Sequence, residues 1–374
     1  MKNRASLAVR IESALKNLFI ADSLSMPVHW YYNTQDIYLA FEGGVTGFHD
    51  APDFHPSSIM SLHSIQQGGR KTTSNKNLEI VGKLILKGKA KYWNRPNTHY
   101  HHLMKAGDNT LNAHCARVLI RSLLKNNGHY QAQVFIDDYI AFMTDDIPTH
   151  NDTYAESYHR GFFQNYVQGK APDKCAAITH DTASIGGLVT IAPLVLSERF
   201  KGTSLTSVRK LCQEHLFLTH PDKKLATICD HYVLLLDQLL FADTGEDWSQ
   251  FCRSALQNCA KKSVGIDLEK LDKQSNKDHQ VVGMKFSTAC YIEHAWPSTL
   301  FLAYRYLNDI KQGLIANANL GGDNVHRGSV LGVILGLIQG LIQGLTQGKT
   351  LDNLFGKLLA QKAIQEEIDQ LLDK

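Results

Sequence analysis

The residues best equipped for chemistry fall into four short clusters. The first is LGGDNVHRG, Leu320 to Gly328, where Asp323, His326 and Arg327 follow the pair Gly321 and Gly322. A carboxylate, an imidazole and a guanidinium in so short a span can ligate a metal or grip a diphosphate through charge-assisted hydrogen bonds. The second is Asp108, Asn109 and Thr110, just after His99, His101 and His102. Oxygen donors suit Mg²⁺ or another hard cation, and imidazoles suit Zn²⁺ or similar. The same oxygen-bearing trio also suits a plain helix N-cap. The third cluster is Asp145, Asp146, His150, Asp152 and His159 around Pro148. It reads as a helix start with Asp152 and Glu156 in its first turns, or as a solvated acidic loop. The fourth is Asp22 before Met26, Pro27, His29 and Trp30, either a carboxylate facing a cleft or a local backbone cap. Gly186 and Gly187 would let the backbone approach a ligand closely.

These groups need elements to hold them. After Gly328 the chain is uncharged to Lys349, and Gly328, Gly332, Gly336, Gly340, Gly344 and Gly348 recur at every fourth residue. That spacing is one ridge of an α-helix. Four interior glycines cost such a helix roughly 4 kcal/mol against alanine, so contacts along a side-chain-free ridge must recover it. The spacing predicts a central helix packed on most sides, with Asp323 at the positive end of its dipole. A bilayer span has the same length and small-residue spacing. Gln339, Gln343 and Gln347 on one stripe, and the lack of a second such segment, argue against it.

Helical periodicity is also read from Ser6 through Phe19 toward Pro27, from about Thr110, from Ala132 to Met143, and through Trp296, Leu300 and Tyr304. Thr179 to Arg199 reads as a loop entering a buried helix that tolerates Pro193, and Leu351 to Leu372 as one amphipathic helix. Gln66 to Asn77 is expected to be an exposed mobile loop and Lys261 to Gly283 a charged surface insertion. Few stretches read as strand. The expectation is an all-α domain covering 1–374.

Composition narrows the function. A net charge of +3 is too mild to argue for nucleic acid or a membrane surface. Seven cysteines without a CxxC pair fit a reducing, cytoplasmic setting, and no apolar leader run is read near Met1. The 18 histidines hint at metal or acid–base chemistry.

Four stretches carry a family resemblance: FIADSLSMP, AGDNTLNA, SIGGLVTIAPL and NANLGGDNVHRGSVLGVILG. Their order and spacing resemble the ADP-ribosylglycohydrolase family, and within it the J1-crystallin and selenoprotein-J branch. The resemblance implies an all-α bundle around a cleft that binds two Mg²⁺ ions and removes ADP-ribose from a protein or polymer. It implies metal ligands at Asp108 and Asp323, joined by Asn109 and His326. Asp22, Asp323 and His326 become the catalytic candidates. His29, His150, Asp152, Gly186, Gly187, Gly322 and Arg327 become substrate contacts. The chain departs from the family pattern at Gly107, Asn109, Val325 and His326, so half the expected carboxylate ligands are absent. Two nearby divalent ions need several anionic oxygens, and one ion or none is the expectation here. Three functions follow: a hydrolase acting on an ADP-ribose-containing small molecule or ADP-ribosylated protein, a non-catalytic binder of ADP-ribose, or a crystallin-like structural protein.

Overall fold

The computed structural model describes residues 4–60, 80–179, 181–243, 247–343 and 351–373. Among them the chain is all-α, with sixteen α-helices, short 3-10 turns and isolated bridges in place of strands. The loop expected at Gln66 to Asn77, and Gly344 and Gly348, lie outside the described residues.

Two helices form the axis. The glycine helix, Asn324–Gln343, runs antiparallel to the N-terminal helix, Arg4–Ser25. Gly328 meets Ala21 and Ser25 at one end, and Gly340 meets Arg10 at the other. A methyl group on Gly336 would stand 2.6 Å from Ala14 Cα, and one on Gly340 would stand 2.5 Å from Arg10 Cα. Only hydrogen fits there, so the two backbones touch along the ridge. The dispersion gained by this approach offsets the poor helix propensity of glycine. By length and composition the glycine helix could cross a membrane, yet 94% of that span is buried inside the protein. Within it the buried amide of Gln339 accepts from Asn17 Nδ2 at 2.7 Å and from Ser13 Oγ at 3.3 Å. Ser13, Asn17 and Gln339 are thus paired between the helices, as burial favours.

Other helices pack round this pair. Leu111–Lys125 is tied to Gln361–Leu371 by a buried fork, Arg117 Nε to Glu367 Oε2 at 2.9 Å and Nη2 to Oε1 at 2.8 Å. Ile191–Phe200 keeps Pro193 in its first turn, where the missing N–H has no intrahelical partner to lose. Ile292–Arg305 buries Trp296, Leu300 and Tyr304, as their spacing predicts.

Three expectations need correction. The helix near the third cluster begins at Ser157, with Glu156 at its N-cap, so Asp152 lies before it in extended chain. Lys261 to Gly283 is no loose insertion. It contains the end of helix Trp248–Val264 and helix Leu268–Gln274, and it buries Leu268, Leu271, Val281 and Val282. Its charges have partners: Asp272 and Asp278 hold Arg305. The tail is two helices, Asp352–Phe355 and Gln361–Leu371, not one.

Candidate metal and active site at the mouth of the glycine helix

Gly321 and Gly322 both have left-handed backbones, at φ +62° and +64°. A side chain on either would collide with the carbonyls of Tyr31 and Thr288. These glycines therefore bring the mouth of the glycine helix directly against the chain at Trp30 and Tyr31. Trp30 N donates to Gly322 O at 2.8 Å and Gly322 N to Tyr31 O at 2.7 Å, which fixes His29 beside Asp323. Gly322 thus acts through this backbone contact. Trp30 is itself left-handed at φ +68°, a strained conformation for a bulky residue that the surrounding bonds hold in place.

Asp323 occupies the position before the helix. Its Oδ1 accepts from His326 N at 3.4 Å, lies 3.1 Å from His29 Nε2 and lies 2.7 Å from His326 Nδ1. The ligand atoms of His29, Asp323 and His326 all stand within 4.8 Å of one another, and all three residues are buried. Behind His29 runs a chain of contacts. His29 Nδ1 meets His101 Nε2 at 2.7 Å, and His101 Nδ1 meets Asp152 Oδ1 at 2.8 Å. Asp152 also accepts from Tyr154 N and Leu111 N, so it is held as an acceptor on both oxygens. On the far side, Asn112 Nδ2 lies 2.7 Å from His326 Nε2 and 2.9 Å from Glu156 Oε2, while Asn112 Oδ1 takes the Tyr158 hydroxyl and His159 Nε2.

Burial alone would lower the His326 pKa, but the carboxylates of Asp323 and Glu156 outweigh it and push it up to about 10. Burial also opposes ionisation of Asp323, yet His326 and His29 hold its carboxyl well below the usual range. His29 falls well below an ordinary histidine, mainly through burial. Glu156 rises to about 8, through burial first, with Asp181 and Asp323 adding to it and His326 opposing. Protonation states in this pocket are therefore set by neighbours rather than by solvent.

The other expected residues are placed as follows. Asp22 is fully buried and spent on the second cluster: its Oδ1 accepts from Asn109 Nδ2 at 2.8 Å and Thr110 N at 2.9 Å, and its Oδ2 from Thr110 Oγ1 at 2.6 Å. Thr110 is the N-cap by backbone, but its hydroxyl serves Asp22 instead. Asn112, two residues past Thr110, lies 2.7 Å from His326 Nε2, so this turn and the helix mouth are neighbours. Asp108 points elsewhere, accepting from Asn151 Nδ2 at 2.9 Å. Arg327 is buried and spends its fork on Asn317 and Gly321, holding the turn rather than facing outward. His150 packs on His114 and Phe142. Gly186 passes close to Ser184, Asn112 and Glu156, and Gly187 packs on Leu225 and His220. Sequence reading missed the roles of Asn112, Glu156 and Asp181. Asp181 accepts from Ser157 N and Oγ at the start of the next helix. The pairing of Asn112 with His326 spans 214 residues, and no local pattern encodes it.

The family model for ADP-ribosylglycohydrolases matches residues 3–370. The chain belongs to the ADP-ribosylglycohydrolase family. A solved structure titled "ADP-ribosylglycohydrolase-related protein complex" shares the fold, with a TM-score of 0.57 and 16% identity over 100% of this chain and 99% of that one. No curated protein matches the chain in sequence. Neither similarity bears on the crystallin-type branch.

Family members often bind divalent metal ions, and the buried residues here fit one. Among the described residues, Asp323 Oδ2 and Glu156 Oε1 are buried without a hydrogen-bond partner, and both residues face His326 Nδ1, Asp323 through Oδ1 at 2.7 Å and Glu156 through Oε1 at 3.4 Å. Buried polar atoms are rarely left so, and two carboxylates with spare oxygens beside one imidazole suit a cation or its waters.

Proposed function

We propose that this chain is a hydrolase of ADP-ribosyl glycosidic bonds, working at a metal site reduced from the family's pattern. One observation carries the reading. Asp22, the Asn109–Thr110 turn and Asp323, far apart in sequence, are linked through Asn112 and His326 into one buried polar neighbourhood at the positive end of a long helix. Such a place favours the negative charge of a diphosphate or of a water losing its proton.

His29, Asp323 and His326 would hold a metal ion. When bound, it would polarise oxygens and lower the pKa of a coordinated water. The remaining work falls to the chain. Glu156, lifted to about 8 by burial, is largely protonated at neutral pH and suits donation to a leaving group. Asp323 is held ionised and suits stabilisation of the oxocarbenium character that develops at the anomeric carbon. Asp22 keeps the Asn109–Thr110 turn in register rather than meeting substrate, because its oxygens are already engaged. The substrate class is an ADP-ribosylated protein or an ADP-ribose-containing small molecule. Mg²⁺ is the family's ion, and this donor set departs from it.

Incubation with ADP-ribosylated substrates of N- and O-linkage, across several divalent metals, should release ADP-ribose, and Asp323→Ala should abolish release. A folded protein that releases none on the whole panel overturns the reading. Replacement of family carboxylates by Asn109 and Val325 favours a second reading, binding without turnover. Calorimetric binding of ADP-ribose in the absence of release would support it.

A further inference from the structure

We propose that His29, Asp323 and His326 form a site for one transition dication, of the zinc, manganese or cobalt kind, and that Asp152 and His101 position it. This assignment deepens the reading of the same site, but it stands on the geometry alone.

Asp152 accepts from two backbone N–H groups, so His101 Nδ1 must donate to it. With the His101 proton on Nδ1, its Nε2 is the acceptor for His29 Nδ1–H at 2.7 Å. That leaves the lone pair of His29 Nε2 pointing at the Asp323 carboxylate 3.1 Å away. Two acceptors face each other, and something positive must lie between them. A proton would serve that one contact. His326 Nδ1–H would serve a second, at 2.7 Å from Asp323 Oδ1, yet Asp323 Oδ2 would still have no partner. A metal ion answers all of these at once. Ligand bonds of about 2.0–2.2 Å place neighbouring donor atoms ~3 Å apart round one ion, close to the spacings seen here.

The donor set then selects the ion. Two imidazoles and one carboxylate suit zinc and its transition-metal neighbours, whereas Mg²⁺ prefers oxygen in near-octahedral order. A second ion lacks ligands. Val325 offers none, Asp22 is engaged with Asn109 and Thr110, and Asp108 is turned to Asn151. Asp152 and His101 do for His29 what a carboxylate behind a ligating histidine does generally: they fix its tautomer and ring plane. Metal binding through His326 Nδ1 puts that ring's proton on Nε2. The Asn112 amide must then present its oxygen to Nε2, an interchange of two atoms of like size. The turned amide would accept from a neutral Glu156 and donate to Tyr158 and His159, so the position stays fully bonded.

The test uses the full chain, stripped with a chelator and offered Zn²⁺, Mn²⁺, Co²⁺ and Mg²⁺ together and singly. Elemental analysis should give one transition ion per chain, and calorimetry should rank it at least about 100-fold tighter than Mg²⁺. Cobalt loading should add visible ligand-field bands that His29→Ala removes. Asp152→Asn should keep one ion per chain but weaken binding about 10- to 100-fold. Two ions per chain, Mg²⁺ bound as tightly as the others, or unchanged affinity in Asp152→Asn overturns the proposal. The wild-type ranking and Asp152→Asn decide it even if His29→Ala fails to fold. Metal binding as expected without ADP-ribose release would count against the hydrolase reading alone.

Discussion

Asp22 accepts three hydrogen bonds from the Asn109–Thr110 turn, all inside the protein. Asp22→Ala strands the Asn109 amide and both Thr110 donors where water is scarce, and should cost about 3 kcal/mol in urea denaturation. The same loss should free the turn from the helix mouth, so metal affinity should fall with it. Arg327→Lys makes a second case. Lysine cannot reproduce a planar fork bonding Asn317 and Gly321 together, and a drop of about 1–3 kcal/mol is expected. Asp323, His326 and the Asn109–Thr110 turn were legible in sequence because chemical residues crowd there within single motifs. Asn112 and Glu156 were not, since both look like ordinary helix-start polar residues until folding sets them beside His326.

The glycine helix was legible as an element because its period of four has a single geometric meaning. The N-terminal helix was legible too, but its pairing with the glycine helix was not, since Arg4–Ser25 is buried on most faces and shows no one-sided pattern to match it. Gly336→Ala separates propensity from packing. In an exposed helix it would stabilise by up to ~1 kcal/mol. Here the new methyl would meet Ala14 and Ser13 at 2.6 Å, so a loss of about 1–3 kcal/mol is expected, read as a lower melting temperature. Elements judged by charge alone were the ones misread. Lys261 to Gly283 looks solvated in sequence, but Arg305 lies 33 residues from Asp272 and gathers its acids. Likewise, helix Ser157–Val167 starts after Asp152 because that carboxylate caps Leu111 N and meets His101 instead.

At the scale of the molecule, burial of histidines sets the response to acid. His215 is buried between Tyr130 and Thr190, and burial lowers its pKa to about 3. The unfolded chain takes up that proton at about 6.5, well before the native one does. Stability is therefore whole above pH about 6.5 and is lost progressively as pH falls toward 3. Melting temperatures across that range should decline, and His215→Gln should flatten the decline. The all-α class was legible from periodicity over much of the chain; the order of helices round the axis was not, because it depends on contacts distant in sequence. The axis itself joins Asn17 to Gln339, 322 residues apart. Closing so long a loop is entropically late and kinetically slow. Until residues 324–343 have been synthesised, the faces of Arg4–Ser25 that they cover have no mate. A version of the chain halted before Asn324 should therefore be captured by chaperones or precipitate, whereas the full chain should refold in a step whose rate Gly336→Ala reduces.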